Sequence, residues 1–135
     1  MAGMAGCTSP EEKRVEQLQE ARELAAGGAY QAAIDILENL ALEYPNDAEI
    51  LRAIGEIYAM DADHTMAAFF LEQAHLQNPK DVDLLYQTYL SLEAAGQPSG
   101  AYLEQLAGLS PESMTKELWF KLGAYRADQN QTEAA

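Results

Sequence analysis

One spacing governs this chain, and it is 34 residues. Ala33, Ala67 and Ala101 fall on it, and Ala135 continues the series. Pro45 and Pro79 are 34 residues apart, and Gly55 and Gly123 are separated by twice that. Tyr58 matches Leu24 and Leu92, and Leu37 matches Leu71. No insertion interrupts the register. A fixed period of this length marks a repeat array, in which each unit buries its apolar face against its neighbours.

Taking the phase from Pro45 and Pro79 divides the chain into units 14–47, 48–81, 82–115 and a partial 116–135. Each full unit reads as two helices. In the second unit Leu51, Ile54 and Tyr58 lie at helical spacing and give a first helix its apolar face. Asp61-Ala62-Asp63 breaks the pattern, and Asp63 can cap the helix that follows. Ala67, Phe70, Leu71 and Ala74 form the second helix's apolar face, and Asn78-Pro79 ends it. The first unit turns at Gly27-Gly28 and the third at Gly96-Gln97-Pro98. Nothing alternates with period two, so no strand is predicted. Ala and Gly recur where helices cross closely, because a larger side chain would hold the helices apart. Gly55, placed inside a helix, costs about 1 kcal/mol against alanine, and close packing is the compensation expected there.

These residues resemble the tetratricopeptide repeat, a 34-residue helix–turn–helix with the pattern W-x2-L-G-x2-Y…A…F…A…P. The second unit carries Leu51, Ile54, Gly55, Tyr58, Ala67, Leu71, Ala74 and Pro79, and the fourth carries Trp119, Leu122 and Gly123. The resemblance spans residues 14–135. In the first unit Gln17 and Glu20 replace apolar residues, which suits an end repeat with one face in water. In the third, Thr88, Gln105, Gly108 and Ser113 depart from the pattern, so a short, irregular second helix is expected. The family implies an all-α, right-handed solenoid of stacked antiparallel helix pairs. It also implies a concave groove, lined by the first helix of each pair, that binds proteins or peptides without catalysis.

Charge bounds the partners. The chain has 8 Lys+Arg against 22 Asp+Glu, a formal net charge of −14. Such a surface repels a phosphate backbone, which excludes nucleic acid. No apolar run approaches the ~20 residues of a membrane helix. A single cysteine, Cys7, excludes an internal disulfide and a CxxC metal site.

Ser9-Pro10-Glu11-Glu12 is a helix start with a capping box, and predicts a first helix from Pro10 to about Ala26. Ser110-Pro111-Glu112 repeats that start and predicts a helix over 111–127. Gln129-Asn130-Gln131-Thr132 then reads as a turn, with a new helix starting at Thr132 and the array continuing beyond it. Residues 1–9 read as an N-terminal tail. Within it Met4-Ala5-Gly6-Cys7 resembles a bacterial lipobox, although a signal peptide needs a basic start and a longer apolar run before the cysteine. A truncated start, an added leader and chance are the alternatives. A lipidated Cys7 would tether the chain to a bacterial envelope, where its repeats could organise a membrane-associated complex. Without lipidation the chain is cytoplasmic.

Other chemistry is weak. Asp61, Asp63, Thr65 and Glu72 partly match a calcium loop, but Met66 stands where the turn needs glycine and Phe69 where a ligand belongs. His64 and His75 are eleven residues apart, too far for one metal, and are expected to be exposed or lightly packed. Cys7 has no base partner. No catalytic residue, metal or cofactor is predicted.

The groove can be assigned through the family's lining positions. They fall on Val15, Leu18, Arg22, Ala25 and Ala26 in the first unit, and on Glu49, Arg52, Glu56, Ala59 and Met60 in the second. In the third they are Asp83, Tyr86, Leu90, Glu93 and Ala94, and in the fourth Glu117, Phe120, Ala124, Ala127 and Asp128. The basic-and-asparagine clamp with which chaperone-binding members hold an acidic tail is absent, since Leu18 and Arg22 replace its first pair. The expectation is a non-catalytic scaffold for a protein segment. Tyr86, Leu90 and Phe120 would anchor its apolar residues, and Glu49, Glu56, Asp83 and Glu117 would attract its lysines or arginines. Self-association, or service as a subunit of a larger assembly, is the structural alternative.

Overall fold

A computed structural model describes residues 8–134. Seven α-helices run in order among them: α1 (Pro10–Ala26), α2 (Tyr30–Glu43), α3 (Ala48–Met60), α4 (His64–Gln77), α5 (Val82–Ala94), α6 (Gly100–Leu109) and α7 (Lys116–Ala134). A 3-10 turn, Pro111–Ser113, joins the last two. No strand occurs among the described residues. Each helix packs on the next in sequence, and α1 also touches α3. The chain is an all-α solenoid of stacked helix pairs.

The helices start and stop for local reasons that share the 34-residue period. Ser9 forms the expected capping box with Glu12 at the head of α1. The first helices of the next units begin after Asp47, Asp81 and Thr115, each 34 residues from the last. Asp47 accepts from the N–H groups of Glu49 and Ile50, Asp81 from Leu84, and Thr115 from Leu118. These bonds satisfy amides that a helix start leaves open. The turns inside the units repeat as well. Gly28, Ala62 and Gly96 lie 34 apart, and all three have positive φ, at 85°, 60° and 67°. That conformation is open to glycine and strained for alanine.

Three apolar clusters hold the stack. The largest joins α1, α2 and α3 through Leu18, Ile34, Leu37, Leu40, Ile50 and Ile54. A small one, Leu51, Leu71, Ala74 and Leu84, ties α3 and α4 to α5. The third joins α5, α6 and α7 through Leu85, Tyr89, Leu103, Leu106, Leu118 and Leu122. Gly55 lies where α3 meets α4. A Cβ built there would stand 2.7 Å from Leu71 Cγ and 3.2 Å from the Ala67 carbonyl oxygen.

The third and fourth units depart from the expected lengths. α6 is short, with 10 residues against 14 in α4. The connection after it is longer, and the 3-10 turn fills it, so α7 returns to register behind Thr115. The helix expected over 111–127 therefore begins at Lys116. Ser110 makes no capping bond to the backbone; its hydroxyl donates to Glu112 and contacts the Ser113 hydroxyl. The turn expected at Gln129–Thr132 is also absent, since α7 runs through it to Ala134.

Candidate binding cleft

A cleft of about 540 Å³ opens between α3 and α5. Glu56, Ala59 and Met60 line it from α3, and Gln87, Leu90, Ser91 and Ala94 from α5. Leu71 and His64 of α4 complete it. The helical repeat of 3.6 residues puts Glu56, Ala59 and Met60 on one face of α3, and Gln87, Leu90, Ser91 and Ala94 on one face of α5. Met60 and Leu90 remain 52% and 46% exposed, so their apolar surface is offered to solvent. Small residues, Ala59, Ser91 and Ala94, line its walls between the larger side chains.

The polar groups at the α3–α5 junction are already partnered. Arg52 donates from Nε to Gln87 Oε1 at 3.0 Å and from Nη1 to Asp81 Oδ2 at 3.3 Å. It also pairs with Glu56 at 3.3 Å. The preceding repeat is locked in the same way. Arg14 is buried, and it donates to both oxygens of Asp47, at 2.8 and 3.0 Å, and to Glu49 at 2.8 Å. Its hydrogen bonds to the Asp47 and Glu49 carboxylates raise the Arg14 pKa. Burial alone would raise the Asp47 carboxyl, but the bonds from Arg14 and from the Ile50 and Glu49 amides outweigh it and hold it below the usual range.

The groove residues predicted from sequence therefore separate. Glu56, Met60 and Leu90 meet in the α3–α5 cleft, with Arg52 partnered by Glu56 and Gln87. Phe120 lies apart from them. Together with Ala124, Tyr125 and Asp128 of α7 it lines a second depression, against Glu93, Ser99, Gly100 and Leu103. Tyr86 is half-exposed on α5 and stacks on Tyr89 with ring centroids 6.2 Å apart. Leu18 is not on the surface at all, since the α1–α3 core buries it to 2% exposure. Arg22 and Glu49 face each other at 3.6 Å. Glu117 lies 3.8 Å from Lys121, whose firmer partner is Glu93 at 2.9 Å. A hydrogen bond from Ser99, joined by that of Lys121, lowers the Glu93 pKa. Of the four acids expected to attract a basic partner, Asp83 alone has no cation beside it among the described residues. Cys7 lies outside the described residues.

Two features escaped the sequence reading. His75 is buried at 5% exposure, not lightly packed. Its Nε2 contacts Gln105 Oε1 at 2.9 Å, and its ring lies 5.6 Å from that of Tyr102. Tyr102 in turn donates to Glu72 at 3.0 Å, and burial followed by that bond pushes its pKa up to about 12. This polar seam joins α4 to α6, and Gln105, the departure from the repeat pattern, was its sign. The second feature is the acidic mouth of the cleft. Asp61, Asp63 and Thr65 border a recess that shares His64 and Ala94 with the cleft. No group of three or more His, Cys, Asp or Glu side chains suited to a metal occurs among the described residues.

Two solved structures share this arrangement of helices. The TPR domain of Sgt2 from Aspergillus fumigatus superposes with a TM-score of 0.66 at 16% identity, covering 94% of this chain and 84% of its own. The type III secretion translocator chaperone SycD of Yersinia enterocolitica gives 0.68 at 14% identity, covering 96% and 93%. The chain has a tetratricopeptide-type fold. At these identities the likeness concerns the fold. No family model matches the chain, and no curated protein resembles it in sequence.

Proposed function

We propose that this tetratricopeptide-type domain is a non-catalytic scaffold that binds a segment of another protein along its first helices. The observation that carries this reading is the α3–α5 cleft, where half-exposed Met60 and Leu90 face each other over small residues. Exposed apolar side chains gathered in a concave site, between helices that ion pairs have already fixed, suit a preformed docking groove. The segment has apolar residues for Met60, Leu90 and the exposed faces of Tyr86 and Phe120. A basic character in the partner accords with the chain's net charge of −14.

The test is differential capture from native extract, using the wild type and a Met60→Ser, Leu90→Ser variant. Proteins held by the wild type and lost by the variant, with unchanged melting of the variant, support the groove. Identical captured sets would place the interaction elsewhere on the molecule. Adding Tyr86→Ala and Phe120→Ala to the comparison reports whether the segment extends along α5 to α7.

A further inference from the structure

We propose that the open face of α7 pairs two copies of this chain, antiparallel, about a two-fold axis at Gly123. The pairing uses none of the residues that line the α3–α5 cleft or the depression around Phe120, so it stands apart from the scaffold reading.

The repeat register marks this face as one that a neighbour covers. Trp119, Gly123 and Asn130 hold the places of Leu51, Gly55 and Ala62, two periods earlier. In that earlier unit α4 lies over the face. Leu51 is 8% exposed, and a Cβ on Gly55 would meet Leu71 and the Ala67 carbonyl oxygen. In the fourth unit Trp119 is 43% exposed, and a Cβ on Gly123 would meet nothing within 4 Å. α7 runs straight through the turn position at Asn130, so its last turns lead away from this face instead of folding back over it. With 3.6 residues per turn, Lys116, Trp119, Gly123, Ala127 and Asn130 fall within about 80° of one another and form one stripe. From Arg126 to Glu133 the helix is exposed on every side, which leaves room for a second helix alongside.

Shape and charge both point to a second copy. The stripe carries its one large apolar side chain, Trp119, four residues before Gly123, and a small one, Ala127, four residues after it. Antiparallel pairing about Gly123 sets each Trp119 on the partner's Ala127, and the glycine lets the two backbones approach. Parallel pairing would set Trp119 on Trp119 and hold the helices apart at that end. A net charge of −14 sets two copies against each other over most of their surface. α7 is the exception. It balances Lys116, Lys121 and Arg126 against Glu117, Asp128 and Glu133, whereas each of the other six helices has more acids than Lys and Arg. The ion pairs within the chain use Glu117, Lys121 and Arg126, and leave Lys116 and Glu133 without a partner among the described residues. In the antiparallel pair each Lys116 lies beside the partner's Asn130, one turn from the partner's Glu133 and within reach of it through the long lysine stem. One large side chain from each copy is too little for the ~1,200–2,000 Å² of a standard interface, so the dimer is weak and depends on concentration.

Trp119 is the only tryptophan, so its fluorescence reports the pairing directly. The full chain is diluted from about 500 µM to about 1 µM, a range suited to a weak interface, and followed by sedimentation velocity and tryptophan emission. The wild type should pass from dimer towards monomer mass, with its emission moving to longer wavelength over the same range. Ala127→Glu keeps a good helix former at an exposed site and sets a carboxylate against the partner's Trp119. It should weaken pairing at least about tenfold while the dilute protein melts as before. Lys116→Glu should weaken it about threefold to tenfold at low salt, and Lys116→Glu combined with Glu133→Lys should restore it. A chain that stays monomeric throughout, or a dimer indifferent to Ala127→Glu with steady emission, would overturn the proposal and leave the groove standing. A dimer that Ala127→Glu breaks but the exchanged charges fail to restore would overturn the antiparallel register.

Discussion

Gly55 and Gly123 hold the same place in their repeats, yet alanine should act on them in opposite directions. Both lie inside helices, where Gly→Ala gains about 1 kcal/mol of helix propensity. At Gly123 a Cβ meets nothing within 4 Å, so Gly123→Ala should keep most of that gain. At Gly55 the new carbon would stand 2.7 Å from Leu71 Cγ and 3.0 Å from its Cδ2. Leu71 is 1% exposed and cannot swing aside into solvent. The Ala67 carbonyl oxygen, 3.2 Å away, belongs to the backbone of α4 and is fixed by its helix. α3 and α4 must therefore separate, and overpacking of this kind costs about 1–3 kcal/mol. Set against the propensity gain, Gly55→Ala should destabilise by a net of up to about 2 kcal/mol. For a chain of this size that lowers the melting temperature by up to roughly 8 °C, while Gly123→Ala raises it by roughly 2–4 °C. Thermal unfolding followed by far-ultraviolet circular dichroism reads both. A double-variant cycle locates the cause. Leu71→Ala alone should cost about 2–5 kcal/mol, and the methyl of Gly55→Ala should recover at least 1 kcal/mol of that by entering the vacated space. If the two alanine variants stabilise alike, close approach of α3 and α4 is not what requires Gly55, and the reasoning fails.

Ala62 has a φ of 60° at a position where the neighbouring repeats use glycine, so Ala62→Gly should raise stability by about 0.5–1 kcal/mol in urea unfolding. Arg14→Ala leaves the part-buried Asp47 carboxylate without its cation and should cost about 2–4 kcal/mol, whereas Arg126→Ala, which breaks an exposed pair with Glu104, should change stability far less. The Asp47 pKa is lower folded than unfolded, so its contribution is present above the unfolded value near 3.9 and is lost as pH falls through the folded one. The stability gap between wild type and Asp47→Asn should accordingly shrink below about pH 4, as read by urea midpoints between pH 2 and 6. Tyr102 is shifted the other way, to about 12, so its contribution is full below the unfolded value near 10 and disappears between there and about 12. Tyr102→Phe should flatten the loss of stability across that alkaline window.

What the sequence revealed of the site followed from helical periodicity, and what it hid followed from side-chain reach. Glu56, Met60 and Leu90 came out together because lining positions recur on one helix face and the faces of α3 and α5 adjoin. The attraction assigned to Glu49, Glu56 and Glu117 treated them as free charges. Arginine and lysine side chains span several ångströms, so Arg14, Arg22, Arg52 and Lys121 reach these acids from other turns or other helices. Only contacts in space show which acids remain unpartnered. Leu18 illustrates the opposite error. The lining position it holds packs into the core between α1, α2 and α3, while Arg22 one turn later stays exposed. The Gly28, Ala62 and Gly96 series, and the Asp47, Asp81 and Thr115 caps, were legible in the same 34-residue period once turns and starts were sought as well as faces.

The continuation of α7 shows what a period cannot specify. Asn130 occupies the place of Gly28, Ala62 and Gly96, and asparagine tolerates the left-handed backbone that the turn requires. The register alone therefore predicts a turn there. A turn interrupts helical hydrogen bonds, and burial of the helix after it offsets that loss. In the first three units the helix after the turn brings Ala33, Ala67 or Leu103 into the core. In the fourth, Gln129, Asn130, Gln131, Thr132 and Glu133 are all exposed. No glycine or proline breaks the run, and each further helical residue adds one backbone bond at little entropic cost. The Thr132 hydroxyl also donates to the Asp128 carbonyl at 3.0 Å, a bond made within a continuous helix. With no burial to favour the turn, propagation wins. Trp119 is 43% exposed and a Cβ at Gly123 would meet nothing within 4 Å, since among the described residues no helix lies over them. Gly123 thus retains the repeat's small residue without the close contact that requires it at Gly55.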